Sequence, residues 1–316
     1  MVSWNQEEVG ATADNRQTIS DQPLLEGVLL KGSGGFYTVE DDGGQPYTLR
    51  CKKKFRRMKL SPCPGDRVLF SPGQGEEHGW IEEIIPRKTF CIRPPVANVT
   101  QMMIVVAVVP VPDLMLVDRL MYSAHRQGMR CLLGVNKSDL DDGRLAEALR
   151  EQYRGSGAAL YPLSAETGMG LDALRAAMGG EVNCMAGQSG VGKSTLLNKL
   201  FHLEQETGSI SEKISRGKNT TRLAELIRRD GFQFMDTAGF SLLDMGEVMD
   251  PVLLKEDYPE FFPYEGRCRF SPCYHDGEPG CAVLQGVEDG EISPQRHQRY
   301  RQMLQEMREA WRNRYD

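Results

Sequence analysis

The sequence predicts a multidomain chain: an N-terminal β-barrel of the OB type, a central α/β domain built around a phosphate-binding loop, and a mostly helical C-terminal segment organised by a metal. Three observations carry this. Short strand-like runs separated by turn residues crowd the stretch from Leu25 to Ile85. A glycine-rich run, GQSGVGKST from Gly187 to Thr195, lies between a strand-like run and a helix-like one. Three cysteines and a histidine fall between Cys268 and Cys281, in a segment with little capacity for a core.

At 316 residues the chain is long enough for two or three domains and a sizeable central core. Its 40% hydrophobic and 26% charged residues are those of a globular protein. The longest apolar candidate, Met102 to Val111, is about half what a bilayer needs and reads as a buried strand. The start, MVSWNQEEVGATADNRQ, has no basic region followed by an apolar core. A cytoplasmic monomer with no membrane partner is therefore expected. The expected divisions are a disordered polar tail over 1–22, the barrel over 23–90, the α/β domain over 91–247 and the metal-binding segment over 248–316.

In the barrel, Leu25 to Leu30, Phe36 to Val39, Tyr47 to Cys51, Arg67 to Phe70 and Trp80 to Ile85 read as strands. Between them lie the turn signals Gly32-Ser33-Gly34-Gly35, Asp41 to Gly44, Pro64-Gly65-Asp66 and Ser71-Pro72-Gly73. An OB-type barrel is a frequent RNA-binding platform, and an SH3-like barrel is the structural alternative. The net charge of −6 excludes a uniformly basic nucleic-acid binder, but Arg50 to Lys59, RCKKKFRRMK, is locally all positive. Lys52, Lys53, Lys54, Arg56, Arg57 and Lys59 are candidates for phosphate contacts, with Phe55 as a candidate for base stacking. A solvated loop between strands has the same composition.

In the central domain, a triphosphate needs several backbone N–H donors converging without a Cβ in the way, which Gly187, Gly190 and Gly192 allow. Lys193 adds a point charge for the β- and γ-phosphates, and the Ser194 hydroxyl can take Mg²⁺. Gln188, Ser189, Val191 and Thr195 complete the loop. Val182 to Ala186 is the strand before it and Ser194 to Phe201 the helix after it, whose positive dipole end faces the anion.

Asn136-Lys137-Ser138-Asp139 ends the apolar run Cys131 to Val135, where α/β sheets place ligands. A carboxylate at Asp139 accepts from the ring N–H and exocyclic amine of guanine, a donor pair adenine lacks. The Lys137 stem can lie along the base, and Asn136 can tie this loop to the phosphate loop. Ser164-Ala165 follows another short apolar run and is placed to offer a backbone N–H to guanine O6. Asp236-Thr237-Ala238-Gly239 follows the strand-like run Phe232 to Met235; Asp236 can hold Mg²⁺ through water and the Gly239 N–H can reach the γ-phosphate. Ser209 to Arg222 reads as the switch loop, with Thr220 or Thr221 as the Mg²⁺ ligand and Thr221 favoured. Lys193, Thr221 and Gly239 are thus the candidate catalytic residues. Phe240 stands where a water-orienting glutamine would be, so slow hydrolysis without a partner is expected. The guanine-reading motif precedes the phosphate loop, the reverse of ordinary G domains. The domain reads as a circularly permuted GTPase.

Cys51, Cys63, Cys91, Cys131 and Cys184 are isolated along the chain and read as ordinary thiols. Cys268, Cys273, His275 and Cys281 suit one tetrahedral Zn²⁺, closed by four protein ligands and therefore structural. Ser293-Pro294 caps a helix whose Tyr300, Leu304, Met307 and Trp311 form one apolar stripe. Arg296, Arg299, Arg301, Arg308, Arg312 and Arg314 surround it, as an RNA-facing or simply solvated surface.

The combination of barrel, permuted G domain with GQSGVGKST, and CxxxxCxH followed by EPGCAV resembles the small-ribosomal-subunit biogenesis GTPase family, RsgA, over residues 23 to 316. That resemblance implies a cytoplasmic GTPase that binds the small (30S) ribosomal subunit and its rRNA, hydrolyses GTP when docked there, and leaves as GDP forms. The alternative is an RNA-binding assembly module with an idle nucleotide site, which Phe240 makes conceivable. Ala238 replaces the family's proline and Asn219 its histidine before the threonine pair, so the timing of the switches is left open. Gly190 stands where potassium-activated relatives carry asparagine, so no potassium site is implied.

Overall fold

The computed structural model describes residues 23–58, 60–73, 77–91, 94–201, 224–229, 231–236 and 249–314. The expectations for residues 1–22, Lys59, Asn219, Thr220, Thr221, Ala238, Gly239 and Phe240 lie outside those residues.

β1 (Leu25–Ser33), β2 (Phe36–Asp41), β3 (Pro46–Cys51), β4 (Arg67–Ser71) and β5 (Gly79–Ile84) close into a barrel in the order β1-β2-β3-β5-β4, with α1 (Lys53–Arg57) between β3 and β4. This is the OB-type arrangement. Side chains alternate across each strand, so Leu29, Val39, Leu49, Val68, Phe70 and Ile81 all fill the interior and are wholly inaccessible.

One residue of the basic segment, Phe55, departs from its expected role. The segment winds into the short helix α1, which turns Phe55 inward against the barrel core, leaving it 3% exposed. Burying a phenyl ring there is worth about 2 kcal/mol, so Phe55 is a plug and not a stacking surface. Lys53, Lys54 and Arg57 stay exposed, while Lys52 pairs with Glu82.

A two-stranded ribbon, β6 (Phe90–Cys91) and β7 (Val96–Ala97), leads out of the barrel. The buried Asp66 carboxylate holds this junction, accepting from Arg87 Nε at 2.7 Å and Nη2 at 2.9 Å and from the Cys63 N–H at 2.8 Å.

The central domain runs β8 (Gln101–Ala107), α2 (Leu114–Arg126), β9 (Arg130–Asn136), α3 (Arg144–Gln152), β10 (Ala159–Pro162), α4 (Leu171–Met178), β11 (Val182–Ala186), α5 (Lys193–Phe201), β12 (Glu225–Arg229) and β13 (Phe232–Asp236). The sheet order is β10-β9-β8-β11-β13-β12, parallel except for the β12–β13 hairpin. β8 is buried on both faces: Met102, Ile104 and Val106 join the core under α2 and α3, and Met103, Val105 and Ala107 join the core under α4 and α5. β8 is shorter than the apolar run predicted. It ends at Ala107 because Pro110 and Pro112 lack the N–H a sheet ladder needs, and Val109 and Val111 emerge 58% and 82% exposed.

The C-terminal unit has two 3₁₀ segments, Pro251–Asp257 and Pro259–Tyr264, then α6 (Ala282–Glu288) and α7 (Pro294–Arg312). Ser293 caps α7, its hydroxyl accepting the Arg296 N–H. Tyr300, Leu304 and Met307 are buried as predicted, joined by Met303.

Two of the six arginines around that stripe, Arg296 and Arg299, are committed inside the fold, and two more, Arg301 and Arg308, are paired at its surface. Arg296 is 2% exposed and bridges Asp118 of α2 and Glu260, while Arg299 also pairs with Asp118. Arg301 and Arg308 share Asp276, at 2.7 and 2.6 Å. The expected solvated or RNA-facing surface is therefore reduced, because α7 packs across α2 and buries the face that carries Arg296. Removing the guanidinium would leave the buried Glu260 carboxylate unpaired and Asp118 with Arg299 alone. Arg296→Ala is expected to cost about 3–5 kcal/mol of stability in urea denaturation, whereas Arg312→Ala, at the exposed end of α7, should change it by less than about 0.5 kcal/mol.

Candidate nucleotide and metal sites

The loops expected to hold nucleotide meet at the C-terminal edge of the central sheet. The phosphate loop leaves β11 at Ala186 and enters α5 at Lys193. Gly187, at φ +135°, lies so close to β8 that a Cβ would fall 2.2 Å from the Val105 carbonyl oxygen. Gly190 and Gly192 also have positive φ, and a Cβ on Gly192 would fall 2.5 Å from the Asn136 amide nitrogen. Lys193 Nζ donates to the carbonyl oxygens of Gly187 at 2.6 Å and Gln188 at 2.8 Å, which holds the ammonium inside the loop. Partial burial lowers its pKa. Ser194 and Thr195 are exposed in the first turn of α5, and Ser189 is exposed on the loop.

Asn136 ends β9 and is 1% exposed. Its side chain donates to the Val191 carbonyl at 2.8 Å and accepts the Ala165 N–H at 3.1 Å, joining three loops. Lys137 adopts a left-handed backbone at φ +60°, and its Nζ donates to Val109 O at 2.7 Å and Gly190 O at 3.1 Å. Asp139 is exposed beside them.

The hydroxyls of two residues expected among the nucleotide contacts are engaged within their own loops. Ser138 is buried and its hydroxyl donates to Val135 O at 2.7 Å; the Ser164 hydroxyl, also buried, accepts the Thr167 N–H at 3.1 Å. Both shape their loops, because a buried hydroxyl takes the partner nearest along the chain. The Ala165 N–H likewise goes to Asn136. Asp236 ends β13, one residue past the Cys184–Met235 pairing, and so reaches the same sheet edge as Gly187.

One contact had no signal in the sequence. Gln188 of the phosphate loop accepts the Asp113 N–H at 3.2 Å, and Asp113 caps α2 by accepting the Leu116 N–H at 2.9 Å. Only the sheet order brings these residues together.

Away from the nucleotide loops, the donor atoms of Cys268, Cys273, His275 and Cys281 all lie within 4.8 Å of one another. Cys268 Sγ is 3.9 Å from Cys281 Sγ, and His275 Nδ1 is 3.7 Å from Cys268 Sγ and 3.2 Å from Cys281 Sγ. Tetrahedral zinc, with Zn–S about 2.3 Å and Zn–N about 2.0 Å, sets its donors about 3.5–3.8 Å apart, a range that the three separations just given bracket. The Ala282 N–H points at Cys268 Sγ, and Glu278 gathers the N–H groups of Tyr274, Asp276 and Gly277. Burial pushes the Cys273 thiol up to about 12 and holds His275 down at about 4. The imidazole is thus neutral, as a ligand must be, and the buried thiols ionise readily only beside a cation.

Asp139→Asn exchanges a carboxylate acceptor for an amide. It is expected to lower GTP affinity by at least about tenfold and raise xanthosine triphosphate affinity, which calorimetry would detect. Cys273→Ala should release the metal and loosen residues 250–316 to protease, with GTP affinity retained; metal analysis and limited proteolysis check both.

Comparison with known proteins agrees with this geometry. The RsgA N-terminal domain family matches residues 26–81 and the RsgA GTPase family residues 84–246. The small ribosomal subunit biogenesis GTPase RsgA of Moorella thermoacetica is 43% identical over 291 residues, covering 90% of this chain and 97% of its own. Its namesake in Ruminiclostridium cellulolyticum is 42% identical over 289 residues, covering 90% and 94%. The crystal structure of YjeQ from Thermotoga maritima superposes with a TM-score of 0.78 at 33% identity, covering 90% of this chain and 99% of that one. YloQ, described as a circularly permuted GTPase, gives 0.76 at 28% identity, covering 93% and 98%. With its barrel and central domain both matched and relatives of this identity along nearly its whole length, the chain belongs to the RsgA family of GTPases.

Proposed function

We propose that this GTPase acts on the small ribosomal subunit late in its maturation: it binds GTP, docks on the subunit through rRNA, hydrolyses GTP there and leaves as GDP forms. The observation that carries the reading is the Asn136 clamp, which draws the phosphate loop and both guanine-facing loops into one site despite their inverted order in the chain. The names of the relatives support the subunit as partner.

Within the site, Lys193 and the backbone N–H groups from Gly187 to Thr195 hold the β- and γ-phosphates, and the α5 dipole adds to their pull. Asp139 accepts from guanine, with Lys137 held alongside by Val109 and Gly190. Ser194, Asp236 and Thr221 are the residues that would hold Mg²⁺, which supplies charge neutralisation at the transferring phosphoryl group. The Gly239 N–H is assigned to the γ-phosphate. Phe240 offers no hydrogen bond to the attacking water, so hydrolysis by the free protein is slow and the docked partner completes the site.

Zn²⁺ at Cys268, Cys273, His275 and Cys281 would be structural, since all four positions are taken by protein. Among the described residues no helix is long and apolar enough to cross a membrane. A monomer working in the cytoplasm, where ribosomes are assembled, fits this reading.

Measuring GTP turnover with purified small subunits, large subunits and neither tests it. Small subunits are expected to raise turnover on the order of a hundredfold, the scale on which one supplied transition-state contact acts. An unchanged slow rate would sink the switch reading and favour an assembly module with an idle nucleotide.

A further inference from the structure

The barrel reaches the nucleotide site through the hairpin of β12 and β13. On β1, Leu29 points into the barrel, so strand alternation sends Val28 and Leu30 outward, where they pack into the apolar core that holds Leu226 of β12 and Met235 of β13. Gly65 lies against the same hairpin, since a Cβ there would fall 3.1 Å from the Met235 methyl carbon. This packing seats two ion pairs across the seam. Lys31 Nζ meets Glu225 Oε1 at 2.8 Å, and Arg228 Nη1 meets Glu40 Oε1 at 2.8 Å. The pairs differ in what stands across the hairpin from them: Arg228 is opposite the neutral Gln233, whereas Glu225 is directly opposite Asp236. Opposed residues of an antiparallel pair share a face with Cβ atoms about 5 Å apart, and like charges there are destabilising.

We propose that Lys31 and Glu225 are positioning residues for the Mg²⁺ site, acting through Asp236. The inference rests on the reading of Asp236 as the residue that holds Mg²⁺ through water. A second carboxylate on the neighbouring strand adds negative charge beside the triphosphate and offers the cation a rival ligand. The Lys31 ammonium cancels that charge and holds Glu225 toward the barrel, so that Asp236 meets the cation without competition from its neighbour. Because the lysine belongs to β1 and the glutamate to β12, the pairing exists only while the barrel is seated on the hairpin. The placement of the barrel is thereby an input to nucleotide binding. Unseating it leaves one uncompensated negative charge beside the cation site.

The test measures, in the full-length protein, the ratio of affinities for a fluorescent non-hydrolysable GTP analogue with Mg²⁺ and with EDTA. Lys31→Met bares the Glu225 charge, which attracts the cation and repels the metal-free triphosphate. The ratio should rise about two- to fivefold, the scale on which one partly exposed ion pair acts. In a Glu225→Gln background the same substitution should change nothing, because no charge is left to bare. Glu40→Gln breaks the other barrel pair without baring a charge opposite Asp236, and should keep the parental ratio. An unchanged ratio in Lys31→Met, or an equal rise in the Glu225→Gln background, would overturn the proposal. So would an equal rise in Glu40→Gln, since the pairs would then act only by seating the barrel. Failure of the Asp236 reading shows separately, as an Asp236→Asn variant whose ratio stays parental instead of falling.

Discussion

The nucleotide site depends on one buried amide. Asn136 sits where β9 ends, and its side chain spans from the Val191 carbonyl to the Ala165 N–H. Both partners lie on loops that leave the sheet from other strands, so the amide sets the spacing between the part that would grip phosphate and the part that would read base. Such a buried amide, bonded at both its nitrogen and its oxygen, is stiff, because losing either bond strands a polar group away from water. The glycine at 192 follows from it, since a Cβ there would displace the Asn136 nitrogen. Lys137 extends the same join, reaching Val109 and Gly190.

The flanking units attach to this core by contacts of different strength. On the barrel side, Lys31 pairs with Glu225 and Arg228 with Glu40, so the barrel rests on β12, the strand that follows residues 202–223. These partly exposed pairs are worth at most about 1 kcal/mol each and are easily exchanged. On the other side, Asp118, Glu260, Arg296 and Arg299 form a buried ionic cluster between α2 and the C-terminal unit, which is costly to open. The N-terminus of α2 is itself held to the phosphate loop through Asp113 and Gln188. The C-terminal unit is thus joined through buried ion pairs to the helix that touches the phosphate loop, while the barrel's salt bridges to β12 are more exposed and weaker.

The donor cluster of Cys268, Cys273, His275 and Cys281 belongs to the same side as the buried ion pairs. His297 of α7 bonds the His275 carbonyl at 2.8 Å, and the Tyr300 hydroxyl bonds the Tyr274 carbonyl at 2.7 Å. The helix that carries Arg296 therefore also braces the ligand loop. A segment of turns and glycines without a core of its own is held by its donor cluster on one side and by α7 on the other.

Much of the architecture was legible in the sequence because it is written in local patterns. Alternating strand runs with glycine turns foretold the barrel, the strand–loop–helix around GQSGVGKST foretold the phosphate loop, and ligand spacing foretold the cluster of Cys268, Cys273, His275 and Cys281. These depend on backbone sterics and on donor spacing, which neighbours along the chain already settle. Which face a residue turns to was decided by the tertiary structure. Phe55 in a basic run is a core residue, Arg296 on a charged helix is a buried linchpin, and the hydroxyls of Ser138 and Ser164 serve their own loops. The grouping of Lys31, Glu225 and Asp236 is drawn from three separate strands and exists only where the barrel meets the central sheet. Local composition says what a side chain can do, and burial and pairing with distant elements determine which of those things it does.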